Sequence, residues 1–336
     1  MTSDKTTHKK SNLKALGLIS GGLDSLTACL LVKKQGIEVI GLNITSPFCQ
    51  YEINLDLFRK NLGIHVYNLP LEDDFLDIIR NPKFGYGRHL NPCVDCRIYI
   101  LKKAKEFMKT VKADIIFTGE VLDQRPKSQH LKALHIVEKE SGLEGKLLRP
   151  LSALQLKPTI YEETGIVDRS KLLGIKGRSR KIQLDLARKH DLLQEYYAGG
   201  GCLLTDVNYS NRMKDALKFN NIREIEDMKI LKYGRHFRYN KSKIIVGRNE
   251  SENDMLLQLK KPDDLIMEAQ DVPGPITIIQ GEINKETLNY AASLTLRYSD
   301  LEDSKGKIMY GKDYQNLNNE IIPKSQPDEI LKKHIL

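Results

Sequence analysis

Short apolar runs alternate with longer amphipathic stretches through the first half of this chain. The apolar runs cover residues 13–19, 37–44, 64–71, 113–120 and 146–151. Between them, residues 23–36, 53–63 and 96–111 repeat apolar positions every three or four residues, which is typical of helices with one buried face. Apolar runs that alternate with such helices predict an α/β fold, a mostly parallel doubly wound sheet covered on both faces.

The pattern changes beyond about residue 215. Residues 236–249 and 275–283 have the short apolar runs and the Gly, Pro, Asn and Asp turns of β-strands, and residues 285–300 have helical spacing. The sequence therefore predicts two domains: residues 1–212, which carry the parallel sheet, and a C-terminal α+β domain of residues 213–336.

Two adjacent glycines separate the first predicted strand from the first predicted helix, in the stretch SGGLDS. Gly21 and Gly22 lack a β-carbon, so their amides can approach a ligand closely. The helix that begins near Leu23 directs unpaired N–H groups and its positive dipole end to the same point. This arrangement predicts an anion site, although a tight turn alone would also explain two glycines.

The same six residues resemble the PP-loop of the ATP-pyrophosphatases, whose SGGxDS signature binds the pyrophosphate of ATP. No Gly-Lys-Ser/Thr follows, which excludes a Walker A loop. The resemblance implies a PP-loop (HUP-like) fold, with ATP and Mg²⁺ as cofactors and Asp24 in a catalytic role. The positions that match the ATP-binding motif are Ser20, Gly21, Gly22, Asp24 and Ser25.

Three of the five cysteines suggest metal or redox chemistry. Cys93 and Cys96 form a C-x-x-C pair at the start of a predicted helix, where the pKa of a thiol is expected to fall, and Cys202 follows three glycines. Cys29 and Cys49 fit ordinary buried thiols. An iron-sulfur cluster on three thiolates, a Cys93–Cys96 pair that relays persulfide sulfur, and coincidence all remain open.

The order of PP-loop, C-x-x-C and a later cysteine is similar to that of the cluster-dependent tRNA thiolation enzymes. The resemblance implies a 4Fe-4S cluster on Cys93, Cys96 and Cys202, with these cysteines catalytic. The segment TGEVLDQRPKSQ is similar to one in the 4-thiouridine synthetases, and NPCVDC to one in the tRNA 2-thiouridylases. This resemblance implies that Gly119 binds the cofactor and that Asp123 is a catalytic residue beside the base that is activated. Several such enzymes have a lysine soon after the second cysteine, whereas here Arg97 follows Cys96 and the nearest lysines are Lys102 and Lys103. The cation for the adenylate is therefore unassigned.

Two basic regions indicate contact with RNA. The loop GIKGRSRK precedes a predicted helix, a favourable place for phosphate contacts, although most charge runs are solvated helix faces. Most of residues 215–315 resemble the NFACT-R (DUF814) module, which is associated with RNA binding. The predicted RNA contacts are Lys176, Arg178, Arg180, Lys181, Arg238 and Arg248.

The net charge of +9 favours a polyanionic partner, and the sequence has neither a signal peptide nor an apolar stretch long enough to span a membrane. We expect a cytoplasmic protein that uses sulfide or another sulfur donor to thiolate tRNA, and the sequence leaves a homodimer open. The alternatives are a persulfide relay, an amidating or ligating PP-loop enzyme with zinc, and an RNA-binding protein with a regulatory nucleotide site.

Overall fold

The computed structural model describes residues 13–49, 56–192, 201–270, 272–300, 306–323, 327, 329–330 and 333–336. The chain divides into two compact units, Met1–Cys202 and Leu203–Leu336. The boundary predicted after residue 212 falls inside the helix Val207–Lys218, whose apolar face packs in the second unit, so the division comes ten residues earlier along the chain than the predicted one.

The first unit contains the predicted parallel sheet. Its strands lie in the order β3-β2-β1-β4-β5, and every pair of neighbours runs parallel. The strands are β1 Lys14–Leu18, β2 Glu38–Thr45, β3 His65–Pro70, β4 Ile115–Thr118 and β5 Leu147–Leu148. The α/β fold class predicted from the apolar runs is confirmed.

Helices cover both faces of this sheet. Ala15 of β1 packs in one buried cluster with residues of α1, whereas its neighbour Leu16 packs in another with residues of α4, as expected for alternating strand residues. The helices are α1 Leu23–Lys33, α2 Asp56–Leu62, α3 Phe75–Arg80, α4 Cys93–Val111, α5 Leu131–Ser141, α6 Ile160–Glu163 and α7 Lys181–Lys189.

The second unit is an α+β structure with an antiparallel sheet in the order β11-β10-β8-β9-β7-β6. Tyr290 and Leu294 of α10 pack on sheet residues such as Ile244 and Met267. The strands are β6 Arg235–Tyr239, β7 Ser242–Val246, β8 Leu265–Ala269, β9 Thr277–Gln280, β10 Ile308–Gly311 and β11 Asn319–Ile321. The helices are α8 Val207–Lys218, α9 Glu250–Leu259 and α10 Lys285–Arg297. Among the described helices of both units, none combines the length and apolar character needed to cross a bilayer.

Candidate active site

The predicted anion loop connects β1 to α1 at the carboxyl end of the sheet, where ligands of open α/β sheets bind. Gly21 has φ of 72°, a conformation that favours glycine, and no side chain caps the helix at Gly22. The Ser25 hydroxyl is buried and donates to the carbonyl of Gly22 (2.8 Å), while it accepts from the amide of Ser20 (3.4 Å). Ser25 therefore shapes the loop from within, and the N–H groups of the first helical turn remain the donors for an anion.

Two residues at the start of α7 interact with the carboxylate of Asp24. Gln183 donates from Nε2 to Asp24 Oδ1 (3.0 Å), and the Arg180 guanidinium is 3.8 Å from Asp24 Oδ2. Arg180, predicted to contact RNA, is thus placed beside the predicted ATP loop. Gln183 is fully buried and was not found from the sequence, because a glutamine in an amphipathic helix carries no motif.

The carboxyl end of β4 packs tightly on the first turn of α1. A β-carbon on Gly119 would lie 2.7 Å from the backbone carbon and oxygen of Asp24 and from the amide nitrogen of Ser25. Only a residue without a side chain allows this approach. The structure therefore places Gly119 at the loop and gives it a packing role there.

Glu120 is a buried carboxylate held by two arginines. Its oxygens lie 3.2 Å from Arg97 Nε and 3.0 Å from Arg149 Nε. Burial raises the pKa of Glu120, but Arg97 and Arg149 outweigh this effect and the pKa is lowered overall. Arg97 is therefore engaged by Glu120, and the cation for an adenylate must be sought elsewhere.

Asp123 stands at a sharp turn and faces the basic loop predicted to contact RNA. It adopts φ of 61°, its carboxylate lies 3.4 Å from Lys176 Nζ, and the amide of Gly177 donates to the carbonyl of Leu122 (2.7 Å). Lys176 and Asp123 are both exposed. Tertiary folding thus brings the predicted base-binding acid and one predicted RNA cation together.

The thiol of Cys96 interacts electrostatically with the other two predicted cluster cysteines, Cys93 and Cys202, and with Cys49. Cys93 is the first residue of α4 and donates to the Ser128 hydroxyl (3.1 Å), while Cys202 pairs through a β-bridge with Cys49. Burial, and then the charges of Cys202, Cys93 and Cys49, raise the pKa of Cys96. The lowering expected at a helix start is therefore wrong for Cys96, and Cys49 is not an isolated core thiol.

Cys29 is the ordinary buried thiol expected from the sequence. It has no exposed surface, and burial raises its pKa to about 12. Its position inside α1, among apolar side chains, gives it no access to solvent or to a ligand. Cys29 is therefore a fully buried thiol with which the exposure and pKa of the other cysteines can be compared.

The arrangement of the thiols is not that of a preformed metal centre. Across the ranges that the structure describes, no three His, Cys, Asp or Glu side chains are grouped as they would be around a metal ion. The donor type still suits iron or another thiophilic metal, because three thiols share one neighbourhood. The cluster therefore remains a prediction that fits the chemistry of these residues.

The predicted RNA contacts of the second unit have different surroundings. Arg238 is nearly buried and donates to both carboxylate oxygens of Asp215 (2.9 and 2.6 Å), to Asn221 (2.7 Å), and stacks on the Phe219 ring (4.1 Å). The prediction that Arg238 contacts RNA is therefore wrong, because its guanidinium is already hydrogen-bonded to Asp215 and Asn221 inside the unit. Arg248 is half-exposed and paired with Glu252.

The asparagines that carry the NFACT-R resemblance have structural roles. Asn249 caps α9 by accepting from the amide of Glu252 (3.0 Å). Asn253 accepts from the amide of Ile276 (3.0 Å) and donates to the carbonyl of Gly274 (3.3 Å), which holds the PGP turn. This part of the resemblance therefore reflects the fold of the unit.

Two family models match the chain. Residues 10–163 match the family described as thiamine biosynthesis protein (ThiI), and residues 234–335 match the NFACT protein RNA binding domain. The first segment lies within the parallel-sheet unit and ends before α7 and Cys202, and the second lies within the antiparallel-sheet unit.

Curated relatives match the first part of the chain. The tRNA-specific 2-thiouridylase MnmA of Karelsulcia muelleri is 26% identical over 215 residues, which is 59% of this chain and 53% of the relative. The enzyme of the same name from Pelobacter propionicus is 34% identical over 121 residues, 32% of this chain and 33% of the relative. The chain spans about half the length of the first such relatives or less.

Among solved structures, a 4-thiouridine synthetase in complex with RNA and ATP is 18% identical, with a TM-score of 0.33 over 53% of this chain and 50% of that one.

Proposed function

We propose that this chain, which joins a ThiI-type PP-loop unit to an NFACT-type RNA-binding domain, is an ATP-dependent tRNA sulfurtransferase. The segment that follows β4 supports this proposal most directly, because it contacts both the ATP loop and one of the predicted cluster cysteines. Gly119 packs on Asp24 of the ATP loop, and Ser128 accepts a hydrogen bond from Cys93. An adenylated base is open to hydrolysis, so adenylation and sulfur delivery have to take place at neighbouring groups.

Adenylation is the first half of the reaction. A carbonyl oxygen of a pyrimidine attacks the α-phosphorus of ATP, and pyrophosphate leaves. The N–H groups and dipole of α1 stabilise the charge that grows on the pyrophosphate. Asp24 is the carboxylate that would hold Mg²⁺, which neutralises part of the triphosphate charge when bound.

Sulfur transfer is the second half. A sulfur nucleophile adds to the ring carbon that bears the adenylate, the bond from carbon to oxygen breaks, and AMP leaves with that oxygen. The product is a thiocarbonyl. A 4Fe-4S cluster held by Cys93, Cys96 and Cys202 would supply bound sulfide, taken up as inorganic sulfide or from another sulfur donor.

A persulfide relay is the second candidate, and the position of Cys49 beside Cys202 favours it. The outer sulfur of a cysteine persulfide would attack the activated carbon and release AMP. A second thiolate would then attack the inner sulfur, which frees the thiocarbonyl and leaves a disulfide for an external thiol to reduce. This route needs neighbouring thiols, an external persulfide that transfers its outer sulfur to the first cysteine, and no iron.

The RNA substrate would contact both units. In the first unit, Arg178 and Lys181 are exposed at the start of α7, next to the residues that contact Asp24. In the second, the NFACT-type domain provides an RNA-binding surface. We place the enzyme in the cytoplasm, where tRNA is modified, with one functional domain for each structural unit.

Nucleoside analysis tests the function. The full chain, purified without oxygen, is incubated with ATP, sulfide and tRNA that lacks thionucleosides, and the digested tRNA is examined by mass spectrometry. We expect a thiopyrimidine together with equal amounts of AMP and pyrophosphate. An amidated or aminoacyl-linked nucleoside would instead identify a ligating enzyme, and tRNA binding without ATP turnover would identify an RNA-binding protein.

A further inference from the structure

Arg125 lies in a closed loop between the ATP loop and the cysteines. The amide of Asp123 donates to the carbonyl of Gln129 (2.8 Å) and closes the loop, while the amides of Ser128 (3.3 Å) and Gln129 (2.9 Å) both donate to the carbonyl of Arg125. The backbone of Arg125 is therefore fixed at the turn. The same loop is attached to the sulfur site through the contact of Ser128 with Cys93.

The guanidinium of Arg125 interacts electrostatically with both halves of the site. The charges that act on it include Asp24 of the ATP loop and Cys93 of the sulfur site, together with Arg97 and Glu120. The side chain of Arg125 is exposed, so an anion from solution can reach its guanidinium.

Four cations near this site pair with carboxylates, whereas Lys127 of the same loop contacts the carbonyl of Phe84 (3.4 Å). Arg97 and Arg149 share Glu120, and Arg149 also contacts Glu138. Lys176 pairs with Asp123 at 3.4 Å, and Arg180 with Asp24 at 3.8 Å. For Arg125, no ion pair with a carboxylate is formed within the residues that the structure describes.

We propose that Arg125 binds the phosphate of the adenylate, and so is the cation that Arg97 does not provide. The inference rests on the proposed function. Pyrophosphate occupies the α1 terminus, and sulfur arrives from the side of Cys93, so the remaining phosphate has to lie between them. Arg125 belongs to the loop that joins these two places, and its guanidinium can donate two hydrogen bonds to one phosphate. It would stabilise AMP as a leaving group.

The test measures AMP binding by calorimetry, which does not depend on turnover. Arg125→Gln should weaken the binding of AMP to the full chain by about tenfold or more, and Arg125→Lys by less, because one charge-assisted hydrogen bond is worth roughly 1.5–3 kcal/mol. Lys132→Gln, which removes an exposed charge at the start of α5, should leave AMP affinity unchanged. Addition of guanidinium ion should restore part of the activity lost in Arg125→Ala.

Two outcomes would overturn the inference. One is AMP affinity in Arg125→Gln equal to that of the unmodified chain, or no AMP binding by either protein. The other is unchanged AMP affinity together with a shifted pH profile for alkylation of Cys93, which would show that Arg125 serves the thiol. Should AMP binding depend on Arg125 while tRNA gains no sulfur, the phosphate site stands and the proposed sulfur transfer fails.

Discussion

Gln183 donates a hydrogen bond of 3.0 Å to Asp24, across 159 residues of chain. The other side-chain atom of this buried amide, Gln183 Oε1, makes no hydrogen bond within the described structure. The hydrogen bond therefore orients Asp24 against α7, the helix that begins directly after the exposed basic loop. A movement of that loop would change the position of Gln183 and with it the orientation of the carboxylate that we assign to ATP and Mg²⁺.

Asp24→Asn should abolish most pyrophosphate release without unfolding the chain. The amide oxygen can still accept from Gln183, but the charge that would hold Mg²⁺ is lost, and we expect at least about a 100-fold lower rate. Asp185→Asn on α7, whose carboxylate is exposed and paired with Arg188, is the control. Unchanged ATP turnover in Asp24→Asn would contradict the PP-loop assignment.

Gly119→Ala should destabilise the first unit and weaken ATP binding. The new β-carbon would lie 2.7 Å from backbone atoms of Asp24 and Ser25, which cannot move without distorting the loop. We expect about 1–3 kcal/mol less unfolding free energy in urea. At Gly22 a β-carbon would be 3.7 Å from the Ser20 hydroxyl, so Gly22→Ala should retain the stability. Equal stability of the two variants would contradict the packing role of Gly119.

Replacing Cys93, Cys96 or Cys202 with alanine should abolish thiolation, whereas Cys29→Ala should keep it. Cys49→Ala distinguishes the two routes, because a cluster on three cysteines predicts that iron content and activity both survive. A relay that uses Cys49 predicts loss of activity. The measurements are iron content and thionucleoside yield after purification without oxygen, and full activity of iron-free protein would exclude the cluster.

Lys243→Met should stabilise the second unit at neutral pH. Burial lowers the pKa of Lys243 to about 7 despite the opposing effect of Asp215, so the unfolded chain binds more protons above that pH. Stability therefore rises with pH from about 7 to about 10.4, the pKa of an unperturbed lysine.

In Lys243→Met this slope should disappear, with a gain of about 1–3 kcal/mol at pH 7, because Arg238 still pairs with Asp215. Urea unfolding at pH 7 and pH 9 measures both effects. Lys241→Met, an exposed lysine on the same hairpin that pairs with Glu282, is the matched control. An unchanged pH slope in Lys243→Met would show that Lys243 remains charged in the folded unit.

Arg178→Gln and Lys181→Gln should weaken tRNA binding and lower its salt dependence. Each lost phosphate contact should reduce the slope of log affinity against log salt by about 0.9 for a duplex region. Arg238→Gln should act differently, by leaving Asp215 poorly paired and destabilising the unit by about 3–5 kcal/mol. Filter binding at several salt concentrations, together with urea unfolding, separates the two effects. Binding losses of equal size with no change in stability would contradict this distinction.

Much of the first unit could be predicted from the sequence. Its five parallel strands follow the apolar runs. The inner strands β1 and β4 are buried on both faces and therefore require continuous apolar residues, whereas β3 at the edge of the sheet is largely exposed. The loop at Ser20–Ser25 and the C-x-x-C pair are local, so their place at a strand end and a helix start could also be read. The boundary after residue 212 was misplaced, because a change of pattern does not show where a helix packs.

Side chains that meet across the chain depend on tertiary structure. Neither the meeting of Gln183 with Asp24 nor that of Cys49 with Cys202 has a signature in the sequence, since each joins residues far apart in the chain. The same holds for charge. Arg238 and Arg178 are equivalent cations in the sequence, but folding buries Arg238 against Asp215 and leaves Arg178 in water.

The sequence by itself determined the sheet, the anion loop and the kinds of reactive group, because these follow from local periodicity and residue chemistry. Only the tertiary structure decided which groups converge and which charges can still reach a ligand, because burial and partner distance are set by the packing of the whole unit.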